Sequence, residues 1–142
     1  LVMAKVNYNL PILVVDDDAL VRDVVMDYLK SFGFIHVTQA KNSQHALKLV
    51  HDSKFPIGLV LSDWEMPQVN GLTLLKAVRK DGHRRHTRFI MIPSQRSMER
   101  FKITQAAQWH VDAYIVKPFR AELLKFKIWE VMGWDLDDEA AS

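Results

Sequence analysis

Three aspartates and one lysine are the residues of this sequence whose types and spacing best suit chemistry. Asp16 and Asp17 follow one short apolar run, Asp63 ends a second, and Lys117 ends a third. Short runs rich in branched residues are typical of buried parallel strands. In an open sheet of such strands, ligands bind at the edge formed by the carboxyl ends. We therefore expect the three carboxylates and the ammonium to lie on one edge.

A cluster of three carboxylates is suited to binding Mg²⁺. Carboxylates in one small space repel one another, and each then resists ionisation. A hard divalent cation relieves this repulsion, and Mg²⁺ prefers oxygen ligands while keeping positions for water or substrate oxygens. An aspartate can itself attack phosphorus, and a metal ion with a lysine can neutralise charge on the phosphoryl oxygens. We therefore predict phosphoryl chemistry at Asp63, with Lys117 supplying the ammonium.

The composition fits one globular domain. The chain has 142 residues, of which 49% are hydrophobic, and this is enough for a full core. The net charge of +2 is too small to argue for nucleic-acid binding. Without cysteine there is no disulfide framework, and no apolar stretch approaches the roughly 20 residues that cross a bilayer, so we expect a cytoplasmic protein. We expect a lead-in at 1–10, the domain at 11–133 and an acidic, frayed tail at 134–142.

Strand-like and helix-like patterns alternate along the chain. Gly33 is suited to ending the first helix, and Ser43 can cap the second. The predicted strands cover residues 11–16, 35–40, 58–63, 88–93 and 113–117. The predicted helices cover residues 19–32, a short stretch from 43 to 50, and residues 70–80, 97–109 and 121–132.

Five strands alternating with five helices predict an α/β fold with a doubly wound, five-stranded parallel sheet. Right-handed crossovers leave few topologies, and we expect the flavodoxin-like strand order 2-1-3-4-5. That order makes the first and third strands neighbours at the topological switch point. It therefore predicts that Asp16 and Asp17 lie beside Asp63.

These residues resemble the receiver domain of two-component response regulators, in the single-domain, CheY-like style. The resemblance spans about residues 10–133. It rests on three motifs: LVVDD at 13–17, SDWEMP at 62–67 with Gly71, and YIVKPF at 114–119. The resemblance implies that Asp63 accepts a phosphoryl group from a phosphohistidine on a sensor histidine kinase or phosphotransfer protein. The chain would then be a phosphorelay signalling domain with slow self-dephosphorylation, not an enzyme acting on a separate metabolite.

The resemblance also implies roles for individual side chains. Asp17, Asp63 and the backbone carbonyl of Glu65 would bind Mg²⁺, with Asp16 acting through a water molecule. Lys117 would contact the phosphoryl group, and its peptide bond to the following proline is often cis in the family. Tyr114 resembles the aromatic residue that moves on activation.

One departure from the family pattern concerns the switch. The family usually has threonine or serine at the end of the fourth strand, whereas here Pro93 stands there and Ser94 follows. Proline offers neither a hydroxyl nor a backbone N–H. We expect a weak or unconventional switch unless Ser94 reaches the site. The family's frequent Gly-Ala before the fifth strand is also replaced, by His110 and Val111.

Two other functions stay open at the level of the sequence. The chain can be a phosphate-independent interaction module that keeps the fold. It can also be a Mg²⁺-dependent phosphatase with an aspartate nucleophile, for which Glu65 is the available proton donor, although the cap insertion of such enzymes is missing. Labelling with acetyl phosphate and Mg²⁺ distinguishes the three.

Surface patterns suggest where a downstream protein target binds. On the last helix, Phe126 lies about 160° from the inward Ile128, and Leu123 and Trp129 flank the same outer side. We expect this face to contact a partner, or a second copy in a homodimer through the fourth and fifth helices. A basic cluster at 83–88 is interpreted as a solvated turn rather than a site for an anionic partner.

Overall fold

The computed structural model describes residues 4–98 and 102–136. For residues 102–104 it describes the backbone only. Five parallel strands form one sheet: β1 (Ile12–Val15), β2 (Val37–Ala40), β3 (Leu59–Asp63), β4 (Arg88–Ile92) and β5 (Ala113–Tyr114). The helices are α1 (Ala19–Phe32), α2 (Ser43–His51), α3 (Gly71–Lys80), α4 (Gln95–Met98), α5 (Lys102–Gln108) and α6 (Ala121–Met132). The predicted helix at 97–109 thus corresponds to α4 and α5, on either side of residues 99–101, which lie outside the described part.

The strand order is β2-β1-β3-β4-β5, which confirms the predicted topology. Strand β3 is central, with β1 and β4 as its parallel neighbours. Its residues are buried on both faces, which explains the near-continuous apolar run in the sequence. One core layer packs α1 and α6 against the sheet, and the second packs α2, α3 and α5 on the opposite face.

Side-chain caps fix where the helices begin. Asp18 accepts hydrogen bonds from two backbone N–H groups of the first turn of α1, and Asn70 accepts one at the start of α3. Helix α2 is capped by Asn42 rather than by Ser43, so that prediction is wrong. Ser43 is fully buried in the first turn because it faces the chain near Pro67, whereas the exposed Asn42 side chain is free to turn back onto the helix.

Two glycines are needed for backbone reasons. Gly33 ends α1 in the left-handed conformation, with φ of 108°, as its position predicted. Gly71 begins α3 directly against the end of β3, and its N–H donates to the carbonyl of Trp64. A Cβ atom at residue 71 would overlap the backbone oxygen of Asp63 and the sulfur of Met91. Gly71 therefore lets α3 approach the end of the central strand.

The outer face of α6 differs from the prediction. Phe126 and Leu123 are exposed, at 44% and 42%, but Trp129 is fully buried. Its indole packs against Phe34 and Trp134, with ring centroids 5.7 and 5.2 Å away. The prediction failed for Trp129 because the chain turns back after the helix, where the N–H of Trp134 bonds to the carbonyl of Trp129.

The first and last described segments lie side by side. Ala4 and Trp134 form a parallel bridge, held by a hydrogen bond from the N–H of Ala4 to the carbonyl of Gly133. A second bond joins the N–H of Asp135 to the carbonyl of Ala4. Asp135 is thus held in place, whereas Asp137, Asp138 and Glu139 of the predicted tail lie outside the described residues.

The basic turn before β4 is not uniformly solvated. Arg84 is only 4% exposed, although its neighbours His83 and Arg85 are exposed. Its guanidinium donates to backbone carbonyls that follow from α2 into the next loop: Leu49, Val50, Asp52 and Phe55. The prediction of a solvated turn is therefore wrong for Arg84, because the end of α2 leaves carbonyls that need donors.

Candidate functional site

The ends of β1, β3 and β5 bring four charged side chains together. Val15 of β1 pairs with Ser62 of β3, so the next residues, Asp16 and Asp63, meet at one edge of the sheet. Ligand atoms of Asp16, Asp17 and Asp63 all lie within 4.8 Å of one another. The Nζ atom of Lys117 is 3.0 Å from Oδ1 of Asp63 and 3.4 Å from Oδ2 of Asp16. The sequence therefore predicted the meeting of these four side chains.

The two oxygens of Asp63 have different surroundings. Oδ1 accepts hydrogen bonds from Lys117 and from the backbone N–H of Trp64, at 3.0 and 2.8 Å. Among the described residues, Oδ2 has no hydrogen-bond partner. It is not among the fully buried polar atoms, so part of it is accessible to solvent. Oδ2 is therefore the oxygen that an incoming group can reach.

Asp16 is fixed by more hydrogen bonds than its position in the sequence indicated. It is 4% exposed, and its Oδ1 accepts from the N–H of Asp18 at 2.9 Å. Its backbone carbonyl accepts from the guanidinium of Arg22 at 2.7 Å. Arg22 of α1 is buried and also bonds to Gln39 of β2. This anchor was missed because a helix pattern alone does not show that an arginine reaches back to the preceding strand end.

Burial and crowding shift the ionisation of these groups. Burial, followed by repulsion from Asp16, raises the pKa of Asp63 to about 6, against the opposing effect of Lys117. Burial also raises the pKa of Asp16. Burial alone would lower the pKa of Lys117, but the nearby carboxylates of Asp63 and Asp16 outweigh it and the pKa is raised. Lys117 therefore stays a cation, while burial and mutual repulsion make the carboxyl groups of Asp16 and Asp63 harder to ionise.

The donor set fits a hard divalent cation. Three carboxylates face one ammonium, so the cluster is left with excess negative charge when all are ionised. The reachable oxygens belong to Asp63 and to the exposed Asp17. Oxygen-only donors with open positions match what Mg²⁺ requires. Glu65 lies in the loop two residues after Asp63.

Lys117 is positioned by the end of β4. Its N–H donates to the carbonyl of Pro93 at 2.8 Å, and it forms a parallel bridge with Ser94. The regular part of β5 is shorter than predicted, but this bridge keeps Lys117 at the same edge as the acids. The Lys117–Pro118 peptide bond is cis, as the resemblance implied.

The residues proposed for the switch lie beside this edge. Pro93 is buried, and the hydroxyl of Ser94 is 3.1 Å from that of Ser97 in α4. Ser97 in turn donates to the carboxylate of Glu65 at 3.3 Å. Ser94 therefore faces α4, and within the described chain it has no hydrogen bond to Asp63. Sequence reasoning missed Ser97, because nothing in its spacing distinguishes it from a surface serine.

Tyr114 lies near the end of β5 and is half-buried against the core layer that contains α3 and α5. Burial raises the pKa of its hydroxyl. The ring thus lies between the interior and the surface, and its role as a moving residue stays a prediction.

No helix within residues 4–98 or 102–136 combines the length and apolar character needed to cross a membrane.

Comparison with known proteins gives consistent matches over most of the chain. Residues 12–128 match the family described as response regulator receiver domain. The chemotaxis protein CheY of Pseudomonas aeruginosa is 37% identical over 117 residues, covering 82% of this chain and 91% of that protein. Chemotaxis protein CheY-3 of Vibrio cholerae is 38% identical over 125 residues, covering 88% and 93%. The structure of CheY4 of Vibrio cholerae superposes with a TM-score of 0.76 at 28% identity, covering 87% and 98%.

Proposed function

The chain belongs to the response regulator receiver domain family, and on that premise we propose that it accepts a phosphoryl group on Asp63 and acts as a Mg²⁺-dependent signalling switch. The observation that supports this most is the contact of Lys117 with Oδ1 of Asp63, which leaves Oδ2 reachable. A nucleophilic oxygen next to a fixed ammonium is what phosphoryl transfer requires. Two-component signalling, as in the chemotaxis relatives, is the corresponding cellular role.

The proposed transfer runs from a phosphohistidine of a sensor histidine kinase or phosphotransfer protein. Oδ2 of Asp63 forms the new oxygen–phosphorus bond as the nitrogen–phosphorus bond breaks, and the histidine nitrogen keeps the electron pair. Lys117 neutralises charge on the phosphoryl oxygens. Asp63 must be ionised to attack, and its pKa of about 6 leaves it so at neutral pH. Water later attacks the phosphorus of the acyl phosphate and restores the carboxylate, which makes the signal transient.

A bound Mg²⁺ would supply charge neutralisation for the same oxygens. Asp17, Asp63 and the backbone carbonyl of Glu65 would hold it directly, and Asp16 would act through water. Asp16 is suited to an indirect role, since its carboxylate already bonds to Asp18 and Lys117.

An apolar groove beside Lys117 supports docking of the phosphodonor. The groove has a volume of about 260 Å³ and includes Leu20, Val24 and Phe119. Leu20 is 77% exposed and Val24 is 46% exposed. A helical donor domain would cover these side chains while it presents its phosphohistidine to Asp63.

A phosphate-independent interaction module is the second candidate. It is favoured by the orientation of Ser94, whose hydroxyl bonds to Ser97 rather than to the acidic edge. Without a hydroxyl at Pro93, phosphorylation would be coupled weakly to Tyr114. In this case the surface would signal without a phosphoryl group.

The test is incubation of the purified chain with acetyl phosphate and Mg²⁺, followed by intact-mass measurement. We expect the gain of one phosphoryl group, held as an acyl phosphate that base hydrolyses. Asp63→Asn should abolish this gain, while Asp23→Asn, at an exposed position on α1, should leave it unchanged. Full labelling of Asp63→Asn would contradict the assignment, an absence of labelling would favour the interaction module, and rapid release of phosphate would favour a phosphatase.

A further inference from the structure

A groove on the edge of the sheet opposite to Asp63 concentrates positive charge. It has a volume of about 540 Å³, a size typical of small-ligand sites. Its lining includes Arg79, Arg85, His86 and Arg88, from the end of α3 and the turn that leads into β4. Arg88 begins β4, and Asp63 pairs with the other end of that strand. At about 3.3 Å per residue, the groove is roughly 13 Å from the acidic site, so the acidic site does not account for it.

The groove is held in shape by Arg79. Its guanidinium donates to the backbone carbonyls of Trp109 and His110, which follow α5, and to that of Thr87, before β4. It also pairs with Asp112 at 3.2 Å. These bonds tie the two loops of the groove together. Arg79 is therefore a structural arginine whose charge still contributes to the groove.

Asp112, the acidic residue of the groove lining, already has hydrogen-bond and ion-pair partners. Asp112 accepts from Arg79, from Arg88 at 3.5 Å and from the backbone N–H of Phe89 at 2.8 Å. Three arginines against one aspartate leave a net charge of +2 on the lining. Asp112 therefore does not neutralise the groove.

Two other basic side chains of the groove lining have no partner of opposite charge within the described part of the chain. Among the described residues, the side chains of Arg85 and His86 are exposed and have no hydrogen-bond or ion-pair partner. Lys76 and Lys80 of α3 lie over the ring of Trp109, with Nζ 5.6 and 5.2 Å from its centroid. Two lysines, one turn apart, thus lie against an aromatic ring that lines the groove, although neither lysine belongs to the lining itself.

We propose that this groove binds a polyphosphate group, as free polyphosphate or as the phosphate chain of a nucleotide. Three arginines that line one concave site, with two lysines beside it, match the high charge density of linked phosphates better than that of a single carboxylate. The exposed guanidinium groups of Arg85 and Arg88 offer the fork geometry that phosphate oxygens accept. The lysines that cover the Trp109 ring leave charge, rather than base stacking, as the main determinant.

The proposal is tested by calorimetric titration of the full chain with inorganic tripolyphosphate and, separately, with ATP. EDTA is present, so that no divalent cation links the ligand to the acidic site. We expect binding of both probes, weakened by added salt. The variant Arg85→Gln/Arg88→Gln should weaken it by about tenfold or more, because two charge-assisted contacts from the lining are lost. The control Lys30→Gln/Lys41→Gln removes the same charge at exposed positions elsewhere and should bind as the wild type does.

The two probes distinguish the sources of the phosphate. Tighter binding of tripolyphosphate supports free polyphosphate as the ligand, tighter binding of ATP supports a nucleotide, and equal affinities support recognition of the phosphate chain alone. No binding of either probe at low salt overturns the proposal, as does an equal loss in the groove variant and the control variant. Tighter binding of an Asp/Glu-rich peptide than of both probes also overturns it, since the occupant would then be an acidic protein segment. Circular dichroism of each variant verifies that it is folded.

Discussion

The ammonium of Lys117 lies 3.0 Å from Oδ1 of Asp63, in a site where the second oxygen of that aspartate stays reachable. We expect Lys117→Met to slow phosphorylation by acetyl phosphate by about 100-fold, because a fixed charge that stabilises the transition state is lost. Mg²⁺ binding should persist, since no oxygen ligand is removed. Initial labelling rates and Mg²⁺ titrations measure the two effects. Lys30→Met, at an exposed position, is the control. An unchanged rate in Lys117→Met would exclude this role for the lysine.

The pKa of Asp63 predicts a pH-dependent stability in the absence of metal. Its folded-state pKa of about 6 lies above the ordinary value of 3.8, so its contribution to stability is present at low pH and is lost as the pH rises through 6. We therefore expect Asp63→Asn to be more stable than the wild type at pH 7 in EDTA, by about 1–3 kcal/mol.

Urea unfolding at several pH values measures this difference. It should shrink as the pH falls from 7 toward 4, where the wild-type carboxyl takes up its proton. Asp23→Asn, at an exposed position, should show no such trend. A lower stability of Asp63→Asn at pH 7 would show that the contact with Lys117 outweighs burial.

Asp17 and Asp18 are adjacent but have separable roles. Asp17 is an exposed member of the acidic cluster, whereas Asp18 caps α1 by accepting from the N–H groups of Leu20 and Val21. Asp17→Ala should weaken Mg²⁺ binding by about tenfold or more with little change in stability, because a hard cation loses a carboxylate. Asp18→Ala should lower stability by about 1 kcal/mol and leave Mg²⁺ binding nearly intact. Calorimetric titration and urea unfolding of both variants provide the comparison, and a reversed pattern would contradict the two assignments.

The hydroxyl missing at Pro93 predicts weak coupling between the proposed phosphorylation site, Asp63, and Tyr114. Loss of one charge-assisted hydrogen bond removes roughly 1.5–3 kcal/mol from the difference between the two states. In a structure with beryllofluoride on Asp63, we expect Tyr114 to keep an outward or mixed position. Pro93→Thr, which supplies the hydroxyl, should increase the inward population. A wild-type ring that moves fully inward, with Ser94 beyond hydrogen-bond distance, would show that no hydroxyl is needed.

The exposed and buried aromatics of α6 should respond differently to substitution. Trp129→Ala should lower stability by about 3–5 kcal/mol, because its ring fills the core between Phe34 and Trp134. Phe126→Ser should change stability by less than about 0.5 kcal/mol, since the side chain is 44% exposed. If the outer face binds a partner or a second copy, Phe126→Ser should weaken that association in sedimentation experiments. Wild-type association and signalling by Phe126→Ser would argue against this surface.

The sequence predictions were correct where a local pattern was enough to place a residue. They were wrong where its position depends on contacts with distant parts of the chain. Asp16, Asp63 and Lys117 could be placed together because strand ends in a parallel sheet converge whatever the details of packing. Trp129 could not be placed, because its burial depends on a turn after the helix and on Phe34, almost 100 residues earlier in the chain. Arg84 was misassigned for a similar reason. Its sequence neighbours are exposed, and only the carbonyls at the end of α2 distinguish it from them.

The bridge between Ala4 and Trp134 brings the first and last described segments of the chain into contact. A short linker between these two positions would allow circular permutation of the fold. New ends could be opened at Gly82, an exposed residue where even an added Cβ would meet nothing within 4 Å. The strand order and the acidic edge would be kept, because the cut lies in a turn at the opposite edge. The covalent order of the segments can therefore be changed while the geometry of the acidic site is kept.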